Sequence, residues 1–562
     1  MSITTKKPDL QNGRVRSLAT RLVRLVDGDS PSSTGSAHGL RRTFPNRWSL
    51  LFGHIASFSF LLIIVSGVFL TLWFEPSMAT VTYRGDYLPL RGVEMSEAYA
   101  STLELSFEVR GGLLMRQIHN WATLVFVAAL SAHMLRIFFT GAFRRPWRLA
   151  WLIVLGLLVL GMVAAYTGNA LPDDQLTGTG LRVTEGVILA VPVIGTYLSS
   201  FLFGGEFPGD DIIARLTFVH ALVLPVLMVA LFAVGVAHAR RRQPALRTAG
   251  GDIGKAAHEP NVAVASGLDR TVRAGGLMLI VFGVIVLMAA TIQINPVWLW
   301  GPFDAAQATA GSQPPWYFGF LDGGLRLMPP WDVDLFGHEL TLSVLVPAMV
   351  MPGLMLTALA VYPWIEQRAT GVRPDDHTLD RPRNMPVRTG LGVAFIVFYL
   401  VLWIAGGNDI LATVLQVPLN WITRFLQVSL IVMPPLAFWI TKRICLGLQL
   451  RDRDMVLHGR ESGVIVASSN GAFSELRTQL SALDAELLTS HPQRMPFDPG
   501  PPADANGVPN PNYRADRRRA RISRFYFADV VQTYASGQDH HREGHHARQH
   551  EDRQREEERQ RG

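Results

Sequence analysis

Long apolar runs separated by polar and charged segments dominate the chain. Eight are long enough to cross a bilayer, near 50–73, 113–139, 149–168, 212–238, 272–294, 341–363, 389–405 and 420–441, since about 20 helical residues cover a hydrocarbon layer of about 30 Å. The seventh run is short. A weaker apolar segment, 183–203, carries Glu185, Pro192 and Gly195. It reads as an interfacial hairpin, because a crossing there would invert every span that follows. The loop charges support that count. Basic clusters precede the first run (Arg41, Arg42, Arg47) and follow the second (Arg144, Arg145, Arg148), fourth (Arg240, Arg241, Arg242), sixth (Arg368, Arg373, Arg381, Arg383) and eighth (Lys442, Arg443, Arg451). The other loops are acid-rich, with Glu94, Glu97, Glu104 and Glu108, then Asp173, Asp174, Glu206, Asp210 and Asp211, then Asp304, Asp322, Asp332, Asp334 and Glu339. Basic loops face the cytoplasm, so the pattern predicts an all-α polytopic membrane protein, eight transmembrane helices with both termini cytoplasmic.

Within the second run, RQIHNWATLVFVAALSAHMLR, His119 and His133 stand fourteen residues apart, with Arg116 and Arg136 three residues outside them. Fourteen helical residues rise about 21 Å and return to within roughly 40° of the starting direction, so both imidazoles address one strip of neighbour. A lone histidine in an apolar helix is usually a hydrogen-bonded core residue. Two on one face, with His220 and His238 on the fourth run, suggest instead a four-helix core holding two stacked haems. The topology puts His119 and His220 at the outer level and His133 at the cytoplasmic level. Arg116 and Arg136 are placed either to offset haem propionates or to anchor the helix at the interface. Gly53 and Gly67 repeat the fourteen-residue interval on the first run, where small residues admit either a flat macrocycle or another helix.

Composition narrows the chemistry. Charged residues make up 17 % of 562, and hydrophobic ones 49 %, the profile of a polytopic membrane protein. Cys445 is the single cysteine, which excludes an intrachain disulfide, cysteine-ligated zinc or iron–sulfur centres, and covalently attached c-type haem. The N-terminal segment is polar and basic through Arg47, with no pattern of a cleaved signal peptide. A net charge of +7 raises nucleic acid as a partner, but the cations flank apolar spans and fit topology and anionic lipid better.

A set of motifs then carries a family resemblance: FPNRWSLLFGHIASFSF at the first run, RQIHNWATLVF and HMLRIFFTGAFRRP at the second, GNALPDDQLTGTGLR after the third and FLFGGEFPGDDIIARL before His220. GSQPPWYFGFLDGGLRLMPPW precedes the sixth, and YPWIEQRATG and DDHTLDRPRN follow it. The chain resembles the cytochrome b subunit of the actinobacterial cytochrome bcc complex, a quinol–cytochrome c oxidoreductase, as a divergent member. The resemblance implies an N-terminal four-helix bundle with two bis-histidine b haems, a quinol-oxidation pocket on the outer side and a quinone-reduction pocket on the cytoplasmic side. It further implies menaquinol as donor, a Rieske iron–sulfur subunit, a c-type cytochrome subunit and a terminal oxidase as partners, a homodimer in the plasma membrane, and no nucleic acid. The expected organisation is a cytoplasmic basic segment (1–47), the haem-binding domain (48–240), a cytoplasmic linker (241–271) and a C-terminal cytochrome b domain with the quinol-pocket loop (272–443). A cytoplasmic peripheral segment of short packed helices (444–490) and a mostly disordered tail (491–562) complete it.

The chain departs from the family at three places. The two family ligands on the fourth span lie fourteen or fifteen residues apart. Fifteen from His220 is Gly235, and His238 is eighteen away, about 27 Å by helical rise, so it falls deeper than His133 or needs a bulge. Val154 stands fourteen residues before Gly168, where family members carry a glycine beside the cytoplasmic-side haem. Pro315, in Pro314-Pro315-Trp316-Tyr317, replaces the family acid that takes a proton from quinol, and Asn169 replaces an aromatic residue. Asp322, Tyr317 or a water are the substitutes to test; Trp316 and Tyr317 otherwise read as an interfacial aromatic belt. Two functions therefore stand: a redox subunit passing electrons from quinol through b haem with proton translocation, or a divergent haem-binding scaffold or one-haem conduit without full quinone-cycle turnover. The haem between His119 and His220 is expected to be retained, and the cytoplasmic-side one at His133 to be lost, five-coordinate or re-ligated. His377 and the tail histidines read as solvated.

Overall fold

The computed structural model describes residues 51–241, 267–307, 313–335, 337–370, 379–467, 496–503 and 506–531, with short pieces between 469 and 488. Among them eight helices are long and apolar enough to cross a membrane: Phe52–Leu70, Gly112–Thr140, Arg148–Ala170, Ile212–Ala239, Val272–Thr291, Leu342–Thr370, Pro386–Ala405 and Leu419–His458. They coincide with the eight apolar runs, because a span must close its backbone hydrogen bonds within itself and only a helix does so without a partner strand. The chain is a multi-pass, all-α membrane protein, and among the described residues its strands form three small antiparallel pairs. Arg41, Arg42, Arg47, Arg242, Arg373, His377 and the histidine-rich tail lie outside the described residues.

The first four spans share one core: Ala56 and Phe60 from the first, Phe126, Val127, Ala129 and Leu130 from the second, Leu149, Ile153 and Leu157 from the third, and Met228 from the fourth. Phe60 and Phe126 stack across it with ring centres 5.5 Å apart. A second core joins the short helix Gly319–Leu327 to the seventh and eighth spans through Phe320, Val401, Leu402, Ala405 and Leu426. The approach is close enough that a Cβ on Gly323 would collide with the Leu402 carbonyl and come 2.9 Å from the Gly406 nitrogen. The segment between third and fourth spans is a pair of short helices, Gln175–Leu189 and Gly195–Phe203, the hairpin anticipated from its weak hydropathy.

Two regions differ from the sequence reading. The eighth span does not end near 441 but continues as one helix to His458, and is followed by the antiparallel pair Arg460–Ala467 and Phe473–Thr478 rather than by short helices. β-Branched and aromatic residues (Val464, Ile465, Val466, Phe473) favour the hairpin there. In the tail expected to be disordered, Tyr513–Phe527 is a helix with Ala520, Ser523, Tyr526 and Phe527 buried. The composition of that stretch is too charged to fold alone, and it is the bundle that provides the apolar surface it needs.

The second span ends at Gly141, whose φ of +68° suits glycine, and the chain turns into a buried ion cluster. Arg388 of the seventh span, fully buried, bonds Glu366 at 2.9 Å and Asp380 at 2.9 Å and donates to the Phe139 carbonyl at 3.1 Å. Arg144 also pairs with Asp380. The cluster thus ties the second span to the sixth and seventh. Removing one member of a buried pair strands the other charge, at a cost of about 3–5 kcal/mol. Arg388→Met is therefore expected to destabilise the detergent-solubilised chain by that amount, read as a lower melting temperature in thermal unfolding, and adding Glu366→Gln to restore part of it.

Candidate haem-binding site

His119 projects from the second span and His220 from the fourth, where the helix widens into a π turn at Val219–Val223. A π turn shifts register by one residue and is common at functional sites. The two rings meet edge-on, their centres 6.2 Å apart and their planes at 69°. The Ser66 hydroxyl of the first span donates to the Leu62 carbonyl (2.6 Å) and lies 3.0 Å from His119 Nδ1. With its proton committed, that oxygen accepts, so His119 carries hydrogen on Nδ1. His220 Nδ1 lies 3.0 Å from the Ala164 carbonyl of the third span, an obligate acceptor, with Thr167 Oγ1 at 3.3 Å. In both rings the Nε2 lone pair is left for a metal.

Three glycines lie against these imidazoles. A Cβ on Gly67 would come 3.3 Å from His119 Cε1, one on Gly168 would come 2.9 Å from His220 Nε2, and one on Gly53 3.2 Å from His133 Cε1. Arg116, three residues before His119, is buried; it donates to the Asn295 carbonyl at 3.0 Å and leaves Nη1 without a hydrogen-bond partner among the described residues. Arg136 flanks His133 at the other end of the span.

At the level of His133 the arrangement is different. His133 Nδ1 is buried and has no hydrogen-bond partner among the described residues. His238 is buried against the indole of Trp147, ring centres 5.6 Å apart and planes perpendicular. Gly235 packs on the third span, where its Cβ would meet Ile153 Cγ2 at 3.3 Å, and Val154 joins the apolar packing beside it.

Beyond the His119 level, the loop after the third span is laced to the segment after the fifth. Phe303 N donates to the Asp173 carbonyl (3.1 Å), Gln175 N to the Gly301 carbonyl (3.0 Å), and Asn295 Nδ2 to Asn169 Oδ1 (2.9 Å). Tyr317 is buried in the four-helix core and Trp316 is partly exposed, their ring centres 5.7 Å apart. Pro315 caps the turn into them, its carbonyl accepting from Phe318 N at 2.8 Å. Asp322 is bonded to Arg326 at 2.8 Å, and Arg326 to Asp409 at 2.8 Å; burial raises the Asp322 carboxyl and Arg326 opposes the rise. Burial likewise raises the Tyr317 phenol well above its ordinary range. Asp173, which the sequence pattern placed only in an acid-rich loop, is buried with a φ of +55°. Burial pushes its carboxyl up to about 7, against a hydrogen bond from Ser96, with Asp174 adding to the rise. The adjacent Asp-Asp pair after a proline was the available signal.

A carboxyl whose pKa rises on folding stabilises the fold fully only below its unfolded value, and that contribution fades as pH climbs through about 7. Asp173→Asn is therefore expected to gain on the unsubstituted chain between pH 5 and pH 8, by roughly 2–4 °C in thermal unfolding. Equal shifts at both pH values would contradict this.

The geometry has clear counterparts among known proteins. The family model described as cytochrome b (N-terminal)/b6/petB matches residues 124–302. A cytochrome bc1 complex cytochrome b subunit of Streptomyces coelicolor is 45% identical over 96% of this chain and 100% of its own length. Proteins of the same name from Corynebacterium diphtheriae and Mycobacterium tuberculosis are 42% and 41% identical, over 85% and 88% of this chain and 86% and 88% of their own. A solved structure titled hyperthermophilic respiratory complex III superposes with a TM-score of 0.54 at 18% identity, over 77% of this chain and 97% of its own, a likeness of fold. Paired imidazoles in a four-helix core, eight spans and full-length relatives agree, and the chain belongs to the family of cytochrome b subunits of the cytochrome bc1 complex.

Proposed function

We propose that this chain is the membrane b subunit of a menaquinol–cytochrome c oxidoreductase, passing electrons from quinol through a b haem with proton translocation. The observation that carries the proposal is the His119–His220 pair with both Nδ1 atoms tied down. Imidazoles from two spans with ring centres 6.2 Å apart and each Nδ1 hydrogen-bonded would hold a b haem iron through Nε2. When bound, a b haem accepts and gives up one electron at a time. The chain's own residues do the rest. His119 and His220 present neutral nitrogens, Ser66 and Ala164 fix their orientation, Gly67 and Gly168 admit the rings, and Arg116 Nη1 is a buried donor suited to a propionate. The alternating loop charges support an orientation with both termini in the cytoplasm and the His119 level outermost. Partners in this reading are a Rieske iron–sulfur subunit, a c-type cytochrome and a terminal oxidase, in a homodimer.

A second reading, a one-haem conduit or scaffold, is favoured at the His133 level. There Gly235 packs on Ile153, His238 on Trp147, and Val154 occupies the position of a family glycine. Pro315 supplies no carboxylate for quinol oxidation, and Asp322 is committed to Arg326. In both readings the His119–His220 pair holds a haem, and the one-haem account is the second reading's.

Pyridine haemochromogen analysis of the purified chain should give one b haem. His119→Ala or His220→Ala should abolish it, while His133→Ala and His238→Ala leave it; two low-spin haems per chain would overturn the one-haem account. Redox-difference spectra of membranes with added menaquinol separate the readings. Haem reduced by quinol and blocked by an inhibitor of the outer pocket supports the oxidoreductase, and haem inert to quinol supports the scaffold.

A further inference from the structure

The helix Tyr513–Phe527 seats Tyr526 and Phe527 on Ala369, Met385 and Val387, at the ends of the sixth and seventh spans. The Tyr526 hydroxyl lies 3.3 Å from that of Tyr362. Tyr362 stands eight residues before the end of the sixth span at Thr370, so this contact meets the sixth span about 12 Å from Thr370 along its axis. The same C-terminal end of the helix Tyr513–Phe527 is also fastened to the eighth span. Phe525 stacks on Phe438 with ring centres 6.3 Å apart and planes within 5°, and Lys442 pairs with Asp529 at 2.6 Å.

The opposite side of this helix is cationic. Arg514, Arg518, Arg521 and Phe525 follow at intervals of four, three and four residues, which places them on one stripe, and all four are exposed. Arg517 and Arg524 flank the stripe. None of these five arginines makes an ion pair among the described residues. Ile522 and Phe525 expose apolar surface beside them, and Trp439 of the eighth span, with Arg443 over its ring at 5.7 Å, extends the same border of aromatic and cationic groups.

We propose that this stripe docks on anionic phospholipid headgroups of the leaflet in which the eighth span ends. Ile522 and Phe525 lie at the acyl boundary, beside the exposed Trp439 of the eighth span, while Arg514, Arg518 and Arg521 take the phosphates. Guanidinium forks match phosphate oxygens in pairs, and aromatic rings with basic residues mark the bilayer interface. A nucleic acid would match the charge but not the apolar border running into a membrane span.

The test is hydrogen–deuterium exchange of residues 513–527 in the full chain, reconstituted in nanodiscs of phosphatidylcholine alone or with phosphatidylglycerol. Each arginine at an anionic surface is expected to slow opening about five-fold, so three give about 100-fold with phosphatidylglycerol. Replacing the three together (Arg514→Gln, Arg518→Gln, Arg521→Gln) should remove the difference between the two lipids and leave the phosphatidylcholine rate unchanged. Raising potassium chloride should return the unsubstituted chain to its phosphatidylcholine rate, a readout that does not depend on the variant folding. Equal exchange in the two lipids, a difference that survives the triple substitution or high salt, or protection that appears only with added protein or RNA would overturn the proposal.

Discussion

Two neutral imidazoles, each with its Nδ1 hydrogen bonded to a neighbouring span, are the constraint that the N-terminal half is built around. A histidine deep in an apolar bundle must place both ring nitrogens, and an unplaced polar atom there is costly. Ser66 takes the Nδ1 hydrogen of His119, and the Ala164 carbonyl takes that of His220. The first span therefore sets one ring and the third span the other, while the second and fourth carry them. All four helices are needed to bring the two rings to centres 6.2 Å apart with both Nδ1 atoms tied down.

The His133 level lacks that support. His133 has its glycine, Gly53, but no group among the described residues to hold Nδ1. Across from it the fourth span offers Gly235, packed on Ile153, and His238 turned to Trp147. The π turn at Val219–Val223 adds a residue to the helix, yet one residue cannot absorb the excess over the family spacing. Van der Waals packing of third span on fourth is the alternative use of the same space, and here side chains take it.

The C-terminal half is held by different forces. Arg388, Glu366, Asp380 and Arg144 bind the second, sixth and seventh spans through charge in a place water hardly reaches. The same spans leave an apolar seat formed by Ala369, Met385 and Val387. The helix Tyr513–Phe527 fills it with two aromatic side chains and keeps its arginines outside. Charge thus serves fastening inside the bundle and attraction at its surface.

The eight spans, the hairpin between the third and fourth, and the nearness of His119 to His220 were legible in the residues alone. Hydropathy over about 20 residues is a local property, and helical rise fixes which residues share a level. Ser66 as the partner of His119 was not legible, since a serine in an apolar helix usually bonds its own backbone, and this one does so as well. Nor was the helix Tyr513–Phe527 legible, because six arginines in that stretch outweigh its few apolar residues until a surface exists to bury them. Tertiary structure alone decided these matters: hydrogen-bond partners and docking seats are contributed by residues far away in the chain, and no local pattern encodes them.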